Sequence, residues 1–570
     1  MNSTSSAPPG LSPHRLRTGK LGRHLALLGL ALLPALIFLV AESWLFDGDL
    51  QLPLDDSWIH LVFARSLSHG NGLAFNPGEL VAGTTAPLWT ALLGLLALLP
   101  GSPILWAKLA GIAAQAGSVF AVHRVALRLD FSPARALVAA LLVAVSDWLV
   151  WSSLSGMEVN LFVLLFLAGL ARHLRERAEP ALPPVSFVLF GLAALARPEG
   201  LLLPFLALAD RLFSLRAPQV PRAVTESGLR GSRPSRTAIA SALSGILVAL
   251  LVVVPVALAF HSMSGSFLPT TVAAKSSGPP MLVPDGRLLA TVLGILFASQ
   301  PWMTLLALGG VVESVRRFGG ARDRGLLLAL WTLALPLASA MLSSGKDVAV
   351  GNFGRYFFPL IPCVVLLGLL ALAPLSFAGL RSATFCGVRL PVGALALVLL
   401  FAPTLVSLTK SLGRYLTSCA NVRDSNVALA KWLGPRLPPD AVLAVNDVGA
   451  FKYLLPNRVL DLVGLMTPEV THLRQQGARD GKVFSEVLAE FLDARKPDFV
   501  IVFPSWFAFP AQHPDRFHLL RMVSIRDNIT MGGEMIALYD TPWTRRPLVA
   551  LRGDEEPAET TAQPLPTESR

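Results

Sequence analysis

The sequence predicts a polytopic α-helical membrane protein carrying a small soluble α/β domain toward its C-terminus. Three observations lead there. Apolar residues make up 53% of the 570 and charged residues only 15%, with a mean hydropathy of +0.58, where a soluble protein would carry roughly a quarter charged residues. Several apolar runs, such as 25–41, 238–260 and 388–408, approach the roughly 20 residues that cross a bilayer. After residue 408 the charge density becomes ordinary, and helix-like stretches alternate with short β-rich runs.

Taken in order, residues 1–24 are Ser/Pro-rich and then basic, and read as a disordered start. Residues 25–45 follow Arg15, Arg17, Lys20 and Arg23; the apolar core exceeds that of a signal peptide and reads as a retained anchor. Ten further runs give about eleven spans: 104–122, 136–151, 159–171, 185–196, 200–212, 238–260, 298–315, 326–343, 356–374 and 388–408. Segment 86–99 is apolar but inverts the charge pattern when counted as a span, so it is read as an outer interfacial helix. Loops 123–135, 172–184, 213–237, 316–325 and 377–389 then hold most of the basic residues and face the cytoplasm, and loop 46–103 faces out. The membrane module thus covers 25–408.

Residues 409–545 form the soluble domain, with helix-like segments at 424–436 and 483–495 and β-rich runs at 441–446, 458–462, 498–503 and 535–539. The span count puts it on the outer side. Residues 546–570 read as a disordered tail.

The net charge of +11 is spread in short clusters between apolar runs. That pattern orients a membrane protein and does not build a nucleic-acid-binding face. Cys363, Cys386 and Cys419 lie far apart, without metal or disulfide spacing.

Chemistry concentrates on the outer side. Asp55 and Asp56 open "LDDSWIHLVFARSL", a short amphipathic interfacial helix. One reading makes them helix-start acids, favoured by the helix dipole. The other makes one of them a general base for an acceptor hydroxyl, with Arg65, Arg197, Lys275 or Arg355 holding a phosphate leaving group. Two adjacent acids also suit a divalent cation such as Mg²⁺ or Mn²⁺, and the sequence does not decide whether one is used. Glu158, Glu199 and His60 share the outer side; Glu158 begins a helix on the simpler reading, Arg197 and Glu199 form an ion pair at Pro198, and His60 packs on its helix. Asp447 and Asp461 either shape turns or face an acceptor glycan.

The stretch "LDDSWIHLVFARSLSHGNGLAFNPGELVAGTTAPLW" resembles the first outer loop of GT-C class membrane glycosyltransferases, the mycobacterial-type arabinofuranosyltransferases above all. "SGMEVNLFVLLF", "ARPEG", "GSFLPTTVAAKS", "GRYFFPLIP" and "NDVGAFKYLLPNRVLDLVGLMTPEV" continue the resemblance in the same order. It implies an inverting transferase at the outer face of a bacterial cytoplasmic membrane. Its donor is a polyprenyl-phosphate-linked sugar, a hexose or a pentose, and its acceptor an envelope glycan, lipid or protein. By position, Asp55 and Asp56 match the acidic pair, with Glu158 as a second acid. Arg65, Arg197, Lys275 and Arg355 match basic residues, and Glu199 and His60 neighbour them as substrate contacts. Val62, Ala82 and Thr85-Ala86 depart from the pattern, so the sugar and acceptor do not carry over.

Two rivals remain at this level. A transporter or flippase of lipid-linked sugars needs polar residues inside its spans, and often repeats; the span centres are almost free of charge and no repeat is visible. A non-catalytic glycan-binding membrane protein needs neither acid of the pair.

Overall fold

The structure, a computed structural model, describes residues 13–179, 181–216, 236–275, 283–318, 324–342, 351–372, 383–385, 388–390 and 392–550. Of the ends expected to be disordered, 1–24 and 546–570, residues 1–12 and 551–570 lie outside the described residues, as do the side chain of Lys275 and most of loop 213–237; residues 13–24 instead open the helix Pro13–Leu45, continuous with the first apolar run.

The chain divides into two compact units, Met1–Leu52 with Thr84–Leu416, and Pro53–Gly83 with Thr417–Arg570. Residues 53–83, expected within the membrane module, therefore pack with the C-terminal domain. The reason is the apolar face of the helix Asp55–Ser68, which buries Trp58, Ile59, Leu61, Val62 and Phe63, with Trp58 5.2 Å from the Tyr453 ring. Asn76 adds a second tie: its amide donates to Val459 O at 2.9 Å and its oxygen accepts from Val459 N at 3.0 Å.

In the first unit every expected apolar run contains helix. Pro at the first turn starts Pro103–Arg128, Pro133–Ala144 and Pro301–Arg316, where its missing N–H costs nothing. Among the described residues, four helices are long and apolar enough to cross a membrane, or five if Pro133–Ala144 and Asp147–Leu154, bent by 53°, form one broken span. The rest are shorter, as at Val185–Ala196, or run on into charged residues expected in a loop, as with Arg172, Arg175 and Arg177 in Val159–Ala178. Gly286–Ser299 is a further apolar helix, in a stretch to which no span was assigned.

Close helix approach rests on small residues. A Cβ on Gly310 would meet Leu367 O at 2.0 Å, so Pro301–Arg316 and Ile361–Ala371 touch backbone to backbone there. The almost charge-free interior expected of the spans has exceptions, Asp147 and Asp210 among them, and one is a buried triad. Lys108 Nζ donates to Glu42 Oε2 at 3.0 Å, to Leu154 O at 3.1 Å and to Tyr415 Oη at 2.5 Å. Tyr415 Oη donates in turn to Glu42 at 2.7 Å, and all three side chains are fully buried.

The second unit holds a five-stranded sheet, in the order Arg458–Asp461, Val442–Val445, Phe499–Val502, Met535–Asp540 and Leu519–Ser524. The first three strands are parallel and the last two pair antiparallel. Helices Pro468–Arg479 and Phe484–Arg495 cross from Arg458–Asp461 to Phe499–Val502 and cover a core of Leu460, Val470, Leu488, Phe491 and Val500. The expected strands are present. Leu519–Ser524 is additional: an edge strand, mostly exposed, without the alternation that marks a half-buried strand.

Candidate functional site

Asp55 and Asp56 occupy the first turn of Asp55–Ser68, whose N-cap residue is Leu54. Asp55 nonetheless caps a different helix, Val448–Leu454. Its Oδ2 accepts from Gly449 N at 2.7 Å, and its Oδ1 accepts from Ala450 N at 3.0 Å and from Asn426 Nδ2 at 3.1 Å. Asp447 stands at the N-cap position of that helix without making a side-chain cap bond. Asp55, 394 residues away in sequence, does the capping. The approach requires glycine: a Cβ on Gly449 would lie 2.2 Å from Asp55 O.

The acids bear on one another. Burial raises the Asp55 carboxyl; the Ala450, Gly449 and Asn426 donors pull it back, and Asp56 pushes it up. Asp447 is held well above the carboxylate range by burial first and then by Asp55 and Asp56. Asp461 is raised to about 6 by burial, against N–H donors from Val463, Gly464 and Met466 that fold the following turn around it. Behind the partly exposed trio Asp55, Asp56 and Asp447 lie two buried amides. The Oδ1 of Asn426 and both side-chain atoms of Asn446 have no hydrogen-bond partner. Asn426 carries no periodic or motif signal in the sequence, and Asn446 opens the quoted "NDVGAF" stretch, where the charge of Asp447 beside it is the more conspicuous feature.

Arg65, expected to hold phosphate, donates to Tyr453 O at 2.8 Å and Lys452 O at 3.2 Å, with its guanidinium 4.6 Å from the Tyr453 ring centre. It clasps the end of the helix that Asp55 caps at its start. His60 is buried on the packed face of Asp55–Ser68.

The first unit gathers four other expected residues. Trp89 Nε1 donates to Gly156 O at 2.9 Å and fixes the turn before Glu158, where Gly156 has φ +76°. Glu158 Oε1 accepts from Arg197 Nη1 at 2.7 Å, and Arg197 Nη2 donates to Glu199 at 2.8 Å. The Arg197 and Arg355 guanidinium carbons lie 5.0 Å and 5.6 Å from the centre of the Tyr356 ring. Tyr356 was missed, since an aromatic heading an apolar run reads as packing. Lys275 closes the short helix Thr270–Lys275.

Both Asp55 oxygens face N–H donors, and among the described residues no three His, Cys, Asp or Glu side chains are arranged to hold a metal ion. These residues do not fit the Mg²⁺ or Mn²⁺ site that the sequence left open.

Residues 420–544 match the model of a family described as a domain of unknown function, DUF8728. No curated protein matches the sequence. Solved structures do. ArnT from Cupriavidus metallidurans, bound to undecaprenyl phosphate, superposes with a TM-score of 0.56 at 14% identity, covering 90% of this chain and 98% of that one. The oligosaccharyltransferase AglB from Archaeoglobus fulgidus, in complex with an inhibitory peptide and a dolichol-phosphate, gives 0.55 at 12% identity over 92% of this chain and 77% of that one. The fold is the GT-C membrane fold. Mycobacterial AftD, an arabinofuranosyltransferase, is matched at a TM-score of 0.45 and 18% identity over 90% of this chain and 41% of that one.

Proposed function

We propose that this GT-C protein transfers a sugar from a polyprenyl-phosphate donor to a hydroxyl of a cell-envelope acceptor at the outer face of a bacterial cytoplasmic membrane. The observation that carries the reading is the acidic trio Asp55, Asp56 and Asp447 in a chain of this fold. Polyprenyl phosphates accompany two of the similar structures, which supports a donor of that class.

The acceptor O–H proton passes to a carboxylate while the oxygen attacks the anomeric carbon. The anomeric C–O bond breaks, and its electron pair leaves with the polyprenyl phosphate. Asp55 accepts three hydrogen bonds that fix its orientation; the base is assigned to the acid pair, with Asp56, in the first turn of the same helix, as the member that takes the proton and Asp55 as its anchor. Arg197 is matched by two carboxylates. Arg355 and Lys275, which match basic residues of the resembling family, are assigned to the leaving phosphate, with Glu158 and Glu199 positioning Arg197. Arg65 serves the fold of the second unit. Inversion at the anomeric carbon, the hexose or pentose identity of the sugar and the outward orientation rest on resemblance and on the basic loops.

The test is to identify by mass spectrometry the lipid that co-purifies with the protein, then to follow transfer from it. Asp56→Asn should lower turnover about 10²–10⁴-fold, the contribution typical of a general base, while donor binding persists. Turnover unchanged in Asp56→Asn and in the Asp55→Asn/Asp56→Asn pair rejects the assignment.

A further inference from the structure

We propose that Asn426, Asn446 and Asp447 form a subsite of the second unit that takes a pair of neighbouring hydroxyls on a sugar acceptor. This deepens the reading above and rests on it for the identity of the ligand as acceptor.

The sheet supplies the first argument. Val442–Val445 is the central parallel strand; the chain leaves it first to Arg458–Asp461 on one side and then crosses to Phe499–Val502 on the other. In open parallel sheets this reversal opens a crevice beyond the carboxyl ends of the strands, and ligands bind there. Asn446 and Asp447 are the two residues immediately past that end.

The second argument is unmet hydrogen bonding. Asn446 is 2% exposed and Asn426 fully buried, yet both Asn446 side-chain atoms and Asn426 Oδ1 lack partners. Asn426 is aimed into the acidic trio, since its Nδ2 donates to Asp55. Buried amides left unpaired are unfavourable by themselves. They are tolerated where a ligand completes them. The chemistry that completes them is a vicinal diol: each hydroxyl both donates and accepts, as each amide does, and a carboxyl such as Asp447 adds a charged or protonated partner. Asp56 lies in the same trio, so a sugar held by two hydroxyls would offer a third to the base.

The experiment uses full-length protein in lipid nanodiscs and saturation-transfer NMR. The probes are the methyl glycosides of mannose, galactose, glucose and arabinose, with cyclohexanol as an alcohol that lacks the diol. At least one glycoside should bind and cyclohexanol should not. Asn446→Leu and Asp447→Asn should each weaken that binding tenfold or more, and Asp56→Asn should leave it within twofold. Because Leu relieves an unpaired amide, Asn446→Leu should keep or raise Tm by about 2–4 °C. Binding unchanged in Asn446→Leu and Asp447→Asn, cyclohexanol binding as well as any glycoside, no glycoside binding at all, or a Tm lowered in Asn446→Leu overturns the subsite. Lost binding in these two variants with turnover unaffected by Asp56→Asn keeps the subsite and rejects the catalytic reading.

Discussion

Asp55 Oδ2 accepts the backbone N–H of Gly449 across 2.7 Å, joining residues 394 positions apart. The first acid of the pair is thereby part of the scaffold of the second unit. A methyl group on Gly449 would fall 2.2 Å from Asp55 O, 2.8 Å from Asp55 Oδ2 and 3.0 Å from Trp58 Cβ. Two of these are backbone or short-tethered atoms that cannot swing aside. Gly449→Ala should therefore destabilise the second unit by about 1–3 kcal/mol, the usual range for overpacking, and lower any sugar transfer with it. Thermal unfolding of the full-length variant measures this; a Tm equal to that of the wild type would show that the contact is looser than 2.2 Å.

The two acids separate by what their loss does. Asp55→Asn turns part of an acceptor toward the donors Gly449, Ala450 and Asn426, so it should lower stability by about 1–3 kcal/mol as buried donors lose their partner. Asp56→Asn should lower Tm by less than Asp55→Asn does, because it removes a charge that repels Asp55 and Asp447. Equal loss of Tm in the two variants would contradict the division of roles.

How much of this was legible follows from what each residue answers to. The helices of the first unit answer to local apolar runs, and their positions were readable. The acid pair drew attention because two adjacent carboxylates at an apolar boundary are rare without a reason. What Asp55 does was not, because its partners Gly449 and Ala450 become neighbours only after folding. The contacts of Arg65 were hidden for the same reason: its partners are backbone carbonyls of Tyr453 and Lys452, which no side-chain motif announces. Glu42 and Lys108 sit near the ends of apolar runs, where each alone looks like an interfacial charge. Only the fold pairs them.

Asp461 gives a pH dependence with a defined sign. Its folded pKa is about 6, above the ordinary 3.8, and burial is the cause. The folded state therefore prefers the protonated acid. The stability this contributes is full below pH 3.8 and lost as pH rises through about 6. A shift of about two units corresponds to roughly 3 kcal/mol. Asp461→Asn should flatten the fall in Tm between pH 4 and pH 7, whatever its effect on the absolute value. A slope identical to that of the wild type would place the titrating group elsewhere.

Arg197 joins Glu158 and Glu199, and its side chain is only 4% exposed. Removing it strands two carboxylates, one of them buried, and breaking a buried pair from one side typically costs about 3–5 kcal/mol. Arg197→Met should express poorly and unfold early. Glu158→Gln added to it should restore part of the yield, since the worst uncompensated charge is then gone. A double variant no better than Arg197→Met, by size-exclusion yield and Tm, would show that the pair is not what holds this corner.

The Lys108–Glu42–Tyr415 triad makes the same argument where the surroundings are most apolar. All three side chains are fully buried, and Lys108 Nζ has three acceptors while Glu42 also takes Gln51 N at 2.7 Å. Lys108→Met leaves Glu42 charged among helices, whereas Lys108→Met with Glu42→Gln leaves no charge to desolvate. Replacing a whole buried pair is often neutral, while removing one partner is not. Lys108→Met alone should thus lose about 3 kcal/mol or more, and the double variant should recover most of that. Double-mutant-cycle analysis of Tm in one detergent measures the coupling, which should exceed about 1 kcal/mol. Additive losses would mean that Tyr415 and Gln51 suffice to hold Glu42, with Lys108 contributing only its packing.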